Sequence, residues 1–239
     1  MPDERAIRAE LEAAAARDSV RGAYLFEGPP GTGKRATAIW FAGLLLRRTF
    51  AEDDPAPPAH PDLKWLEPEA GLIRIAAVRQ LQTELALVSH QGGRRVALIH
   101  QAERLRVEAA NALLKLLEEP PPAAVVVLVS ASPEALPATL RSRTTRYRFS
   151  PWPEGRIRER LEADGFAERD AKLASGLAGG SPDHARAWAE GELEEAREML
   201  EWLEEAPRRS PDEILDYAEG FRGGEPARRR AQLLLAVLG

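Results

Sequence analysis

The chain has no cysteine among its 239 residues. Disulfides and thiolate metal sites are therefore excluded. No apolar run approaches the ~20 residues needed to span a bilayer. Aromatics make up 6% of the sequence and methionines number two, so the interior has to be built from aliphatic side chains. Lysine is almost absent: positive charge comes from 29 arginines and four lysines. The net charge of −5 argues against a protein whose main task is to coat nucleic acid, though local phosphate contacts remain compatible with it. The first ten residues are charged throughout, unlike a secretory signal, and a cytoplasmic location is expected.

What is present is a soluble, globular composition, 44% hydrophobic and 30% charged. Short β-rich apolar runs alternate with helical patterns. Strands are expected at Ala23–Glu27, Leu63–Leu66, Val96–Ile99, Ala124–Val129 and Thr145–Phe149. Helices are expected at Ala6–Ala16, Thr37–Leu46, Val78–Val88 and Val107–Leu117, the last stopped by Pro120-Pro121-Pro122. On the third helix Val78, Leu81, Leu85 and Val88 fall on one stripe. Alternation of this kind implies parallel βαβ units. After Ser150-Pro151 only helical periodicity remains, at Ile157–Ala163, Ala167–Leu177 and Pro182–Leu203. A proline boundary follows at Pro207 to Pro211. The expected organisation is an α/β core over 1–150, a helical domain over 151–206, and a short helical segment over 207–239.

Gly28-Pro29-Pro30-Gly31-Thr32-Gly33-Lys34 lies between a strand and a helix and reads as a P-loop. Glycines let several backbone N–H groups converge on one phosphate, and the helix N-terminus adds partial positive charge. The following residue should be Ser or Thr, whose hydroxyl holds Mg²⁺; here it is Arg35, which cannot ligate a metal. Hydrolysis also needs carboxylates at the end of a nearby buried strand. The strand Val96–Ile99 runs into His100 and Gln101, with Glu103 beyond the site. Three required positions are thus wrong together, and magnesium-dependent hydrolysis is not expected. The four histidines have no metal-ligand spacing, and no metal is expected. Arg94-Arg95 reads as a solvated turn, with a phosphate contact as the alternative.

Two further stretches join the P-loop: Ala109 to Pro121, containing Asn111-Ala112-Leu113-Leu114-Lys115 and Glu118-Glu119-Pro120-Pro121, and Leu140-Arg141-Ser142-Arg143-Thr144. Together they resemble the clamp-loader branch of the AAA+ ATPases, that of the bacterial delta-prime and gamma/tau subunits of DNA polymerase III, over residues 10 to 205. The resemblance implies an AAA+ core with a parallel sheet, a small all-α lid, and the start of a helical collar domain. The third stretch is similar to the family's Ser-Arg-Cys motif, standing here as Ser142-Arg143-Thr144. In that family the arginine reaches across a subunit interface into the neighbour's ATP site; carried over, it is Arg143. Phosphoryl transfer builds negative charge that a guanidinium supplied in trans stabilises.

The departures sort the subunit. Lacking the metal and carboxylate positions but keeping the finger, the sequence resembles the delta-prime pattern, a stator that completes a neighbour's site. The alternative is a hydrolysing gamma/tau-type motor with Glu103 recruited. A small P-loop kinase would need an acceptor site that the sequence does not offer. Partners implied are gamma/tau and delta subunits in a hetero-pentamer, with transient contact to the sliding clamp and primed DNA and none to a membrane. No cofactor is required, though the loop could hold ATP or ADP without hydrolysing it. Asp183 falls where active subunits place an arginine sensing the γ-phosphate. The segment Arg47–Pro61 has no cysteine where relatives usually carry a zinc module, so zinc is not expected. The residues after Pro207 are too few for the family's whole collar, which implies truncation or a reduced collar.

Overall fold

The structure is a computed structural model that describes residues 4–52, 54, 56–90, 93–191, 193–219 and 221. It divides into two compact units, Met1–Ser150 and Pro151–Gly239.

The first unit is built on five parallel strands: β1 (Ala23–Glu27), β2 (Leu63–Leu66), β3 (Arg95–Ile99), β4 (Ala124–Ser130) and β5 (Thr145–Arg148). Their order across the sheet is β2-β3-β4-β1-β5. Because both faces are covered, β1, β3 and β4 are apolar at nearly every position and buried at all of them, as parallel sheets require. Alternate residues supply the two faces. Tyr24, Phe26, Val125, Val127 and Val129 pack against α1 (Glu4–Ala16) and α2 (Lys34–Leu46), through Ile7, Leu11, Ile39 and Phe41. Leu25, Ala97, Ile99, Val126 and Leu128 pack on the other face against α3 (Ile75–Ala86), α4 (Val107–Glu118) and the short α5 (Ala138–Arg141).

The expected helix Val78–Val88 is shifted. It runs from Ile75 to Ala86, and Val88 is 88% exposed instead of lying on the stripe of Val78, Leu81 and Leu85. The cause is local. Leu87 takes an extended conformation, and the next residues turn onto the buried carboxylate of Asp62, which accepts from Ser89 Oγ at 3.0 Å and from the His90 amide at 2.9 Å. Two hydrogen bonds to a buried carboxylate outweigh the burial of one valine. Arg95 also departs from a solvated turn: it begins β3, is 4% exposed, and stands opposite Asp62. Arg94 pairs with Asp18 at 2.5 Å.

The second unit is all helical: α6 (Glu154–Ala163), α7 (Glu168–Leu177), α8 (Pro182–Gly191), α9 (Leu193–Glu205) and α10 (Pro211–Glu219). Ile157, Leu161, Ala171, Ala174 and Ala185 form its centre. The helix expected over Pro182–Leu203 is described as α8 and α9, on either side of position 192, which lies outside the described residues. Most of the segment 207–239, read as the start of a collar, lies outside the described residues; within it α10 is a helix. Among the described residues no helix is long and apolar enough to cross a membrane.

Candidate functional site: a P-loop without its metal position

The loop leaves β1 between two neighbouring strand ends. The Gly28 amide donates to the Ser130 carbonyl of β4 at 3.3 Å, and the Phe149 amide donates to the Glu27 carbonyl at 2.7 Å. Gly28 has φ +145°, and a Cβ there would stand 2.1 Å from the Phe149 carbonyl oxygen. Only glycine fits, for backbone conformation and for space. Gly31 and Gly33 are also left-handed, at φ 65° and 83°, which curls the loop into the first turn of α2. The sequence reading of Gly28 to Lys34 as a strand–loop–helix turn matches this geometry.

Inside the loop the polar side chains turn back on it. Thr32 Oγ1 donates to the Pro29 carbonyl at 2.9 Å. Lys34 is buried, with its ammonium donating to the Pro29 carbonyl and lying 3.3 Å from Thr32 Oγ1. Glu4, on α1, packs against this turn: its carboxylate accepts from Thr37 Oγ1 at 3.4 Å and faces Gly33. Sequence reasoning missed Glu4; nothing in the local pattern of α1 marks it, since the contact crosses 33 positions.

The metal position is filled by chemistry of another kind. The guanidinium carbon of Arg35 lies 5.3 Å from the centre of the Trp65 ring, and the His100 ring lies 5.8 Å from the same indole. Strand pairing sets this up: β2 and β3 are neighbours, and the His100 amide donates to the Leu66 carbonyl at 2.8 Å, just past the end of β3. Burial holds His100 below the ordinary imidazole range, and the charge of Arg35 pushes it the same way. His100 Nδ1 is buried without a hydrogen-bond partner among the described residues. Gln101 is exposed and left-handed, at φ 51°. Glu103 accepts from the Ala131 amide at 3.3 Å and so ties down the turn after β4. The backbone and Lys34 retain the type of donor set that suits phosphate. The residues where Mg²⁺ would sit are a cation, a neutral imidazole and an amide, and they do not fit a metal. Among the described residues no group of three His, Asp or Glu could hold one.

Ser142 and Arg143 follow α5 on the same unit. Ser142 Oγ and Arg143 Nη1 both donate to the Thr139 carbonyl, each at 3.0 Å. Arg143 Nη2 lies 2.7 Å from Glu118 Oε1 at the end of α4. The Arg143 side chain is 39% exposed. A pair of arginines, Arg146 and Arg148 on β5, converges on Glu27, whose side chain is 2% exposed, at 2.7 and 3.3 Å. Asp183 is exposed in the first turn of α8, in the second unit.

The sequence model of the family described as DNA polymerase III, delta subunit, matches residues 4–153. The DNA polymerase III subunit delta' of Pseudomonas aeruginosa is 36% identical over 195 residues, covering 75% of this chain and 59% of the relative. That of Escherichia coli is 40% identical over 144 residues, covering 59% of this chain and 43% of the relative. The chain thus spans about half the length of these curated relatives. Among solved structures, a DNA polymerase III gamma subunit-related protein from Thermotoga maritima superposes with a TM-score of 0.58 at 21% identity, over 93% of this chain and 69% of the other. That likeness speaks for the fold, an α/β core with a helical unit after it. The match over 4–153, together with delta' relatives at 36% and 40% identity, places the chain in the DNA polymerase III delta subunit family.

Proposed function

We propose that this chain is a non-hydrolysing, delta-prime-type subunit of a replicative clamp loader, accessory to the DNA polymerase III holoenzyme. The observation that carries the reading is the combined loss at Arg35, His100 and Gln101. Magnesium-dependent phosphoryl transfer needs a hydroxyl and carboxylates around the metal. Here a guanidinium and a neutral imidazole both lie near one indole instead. The loop amides and Lys34 can hold ATP or ADP without hydrolysing it, and neither Mg²⁺ nor zinc is required.

As a stator the chain docks on a gamma/tau subunit and presents Arg143 to the ATP bound there. Ser142 supports the finger by capping the same Thr139 carbonyl. Gamma/tau and delta subunits complete a hetero-pentamer that meets the sliding clamp and primed DNA transiently. Residues 151–206 act as the lid, and 207–239 contribute to the collar. A guanidinium supplied in trans is worth roughly 10³–10⁵ in rate where measured.

The test uses the loader assembled from this chain with its organism's gamma/tau and delta subunits, clamp and primed DNA. The expected result is no ATP turnover by the chain alone and a large loss of stimulated turnover for Arg143→Ala in an intact complex. Magnesium-dependent turnover by the isolated chain would establish the motor reading instead. An unchanged rate with Arg143→Ala would remove the finger.

A further inference from the structure

We infer that Glu118 is a positioning residue for Arg143, and that this is the chemical task of the Glu-Glu-Pro-Pro stretch. The inference rests on the finger reading of Arg143 and adds a residue to it. Ala109 to Pro121 identifies the family, yet the site as described gives its polar residues no work. The structure supplies one. α4 ends at Glu118, and its C-cap Glu119 has already left helical conformation at φ −127° and ψ 66°, ahead of Pro120-Pro121. The prolines thereby fix where the last carboxylate of α4 stands. It stands 2.7 Å from Arg143 Nη2.

The geometry is that of a two-point hold. Arg143 Nη1 donates to the Thr139 carbonyl at 3.0 Å while Nη2 pairs with Glu118. Arginine carries five N–H donors in a planar fork. Two such contacts fix the plane and leave donors over, and the Arg143 side chain stays 39% exposed. A long side chain that would otherwise sample many rotamers is therefore held on the surface with its free edge available to an anion. The end of α4 adds partial negative charge behind the guanidinium. Glu118 is itself 47% exposed, so solvent screens it and it does not neutralise the finger as a buried carboxylate would. Effects of orientation appear in the chemical step, whereas ATP affinity belongs to the neighbour's own loop.

The experiment is a double-mutant cycle on clamp- and DNA-stimulated ATP hydrolysis by the assembled loader, with assembly checked by size-exclusion chromatography. Glu118→Ala is expected to lower kcat by about two- to fivefold, the scale of a half-exposed ion pair, with KM for ATP unchanged. Glu118→Gln keeps an acceptor oxygen and is expected to recover part of the loss; it also serves if the alanine variant assembles poorly. On the Arg143→Ala background, Glu118→Ala is expected to add nothing, because it acts through Arg143. A further loss on that background, a rise in kcat, or no change from Glu118→Ala while Arg143→Ala is severely impaired would each overturn the positioning role and leave the finger standing. If Arg143→Ala itself leaves turnover intact, the finger reading fails, and the role of Glu118 falls with it.

Discussion

The guanidinium carbon of Arg35 stands 5.3 Å from the centre of the Trp65 indole, and Arg35 holds the chain position at which a P-loop enzyme carries the hydroxyl that binds its metal. Cation–π contacts of this kind contribute about 0.5–1 kcal/mol at exposed sites. The change at this position is therefore a replacement by a different local structure, not a vacancy. Arg35→Thr should not confer magnesium-dependent ATP turnover, because His100 and Gln101 still offer no carboxylate. Only the triple change with His100→Asp and Gln101→Glu restores the required ligand types. Phosphate release by the isolated variants checks this; turnover by Arg35→Thr alone would show that another group, such as Glu103, supplies the missing acid.

His100 links this site to pH. Its folded-state pKa lies below the ordinary 6.5, through burial first and the charge of Arg35 second. The unfolded chain therefore binds a proton that the folded chain resists. Stability from this group is full above pH 6.5 and declines as pH falls below that value. His100→Asn should flatten the decline. Arg35→Ala should raise the His100 pKa, by removing a repulsive charge, in an NMR titration of the imidazole. A pKa that stays put would mean that the charge of Arg35 does not contribute to the shift and that burial dominates it.

Asp62 and Arg95 make the most buried ion pair of the first unit among the described residues, 3.5 Å apart with side chains 1% and 5% exposed. Asp62 also accepts from Ser89 and His90, and Arg95 Nη1 donates to the Glu84 carbonyl. The carboxylate thus joins the start of β2 to the end of α3. Asp62→Ala should cost about 3–5 kcal/mol, because it strands a buried guanidinium. Denaturant unfolding measures it, and a loss under ~1 kcal/mol would mean that water reaches Arg95 and replaces the carboxylate. The double change Asp62→Leu with Arg95→Met should cost less than either single polar deletion, since no charge is then left buried.

The fold was legible wherever one local pattern decided it. The apolar runs of β1, β3 and β4 are buried on both faces, and the glycines of the P-loop are where left-handed backbone is needed. The failures trace to contacts between distant residues. Val88 continues the stripe of α3 in sequence but is drawn off the helix by the carboxylate of Asp62, 26 positions earlier. Arg95 looks like a surface arginine beside Arg94 until the same carboxylate buries it. At the site, the loss of metal ligands was visible one residue at a time in Arg35, His100 and Gln101. That Trp65 would lie close to two of them depended on the register of β2 against β3. Glu118 was in plain view within a recognised stretch, but its partner became identifiable only once α4 and α5 were set side by side.

The start of the P-loop separates two kinds of cost that glycine avoids. At Gly28 a Cβ would meet the Phe149 carbonyl oxygen at 2.1 Å, and φ is +145°. At Gly71 φ is also positive, +79°, but nothing lies within 4 Å of the Cβ position. Gly71→Ala should therefore incur only the left-handed backbone term, about 1–2 kcal/mol. Gly28→Ala should incur backbone strain and force β1 and β5 apart, because the Phe149 amide donates to the Glu27 carbonyl just beside the clash. A combined loss of roughly 3 kcal/mol or more is expected from the two effects. Urea unfolding of both variants gives the comparison. Similar losses at the two positions would mean that the β5 end yields freely, and that the packing of Phe149 against Gly28 does not hold the phosphate loop in place.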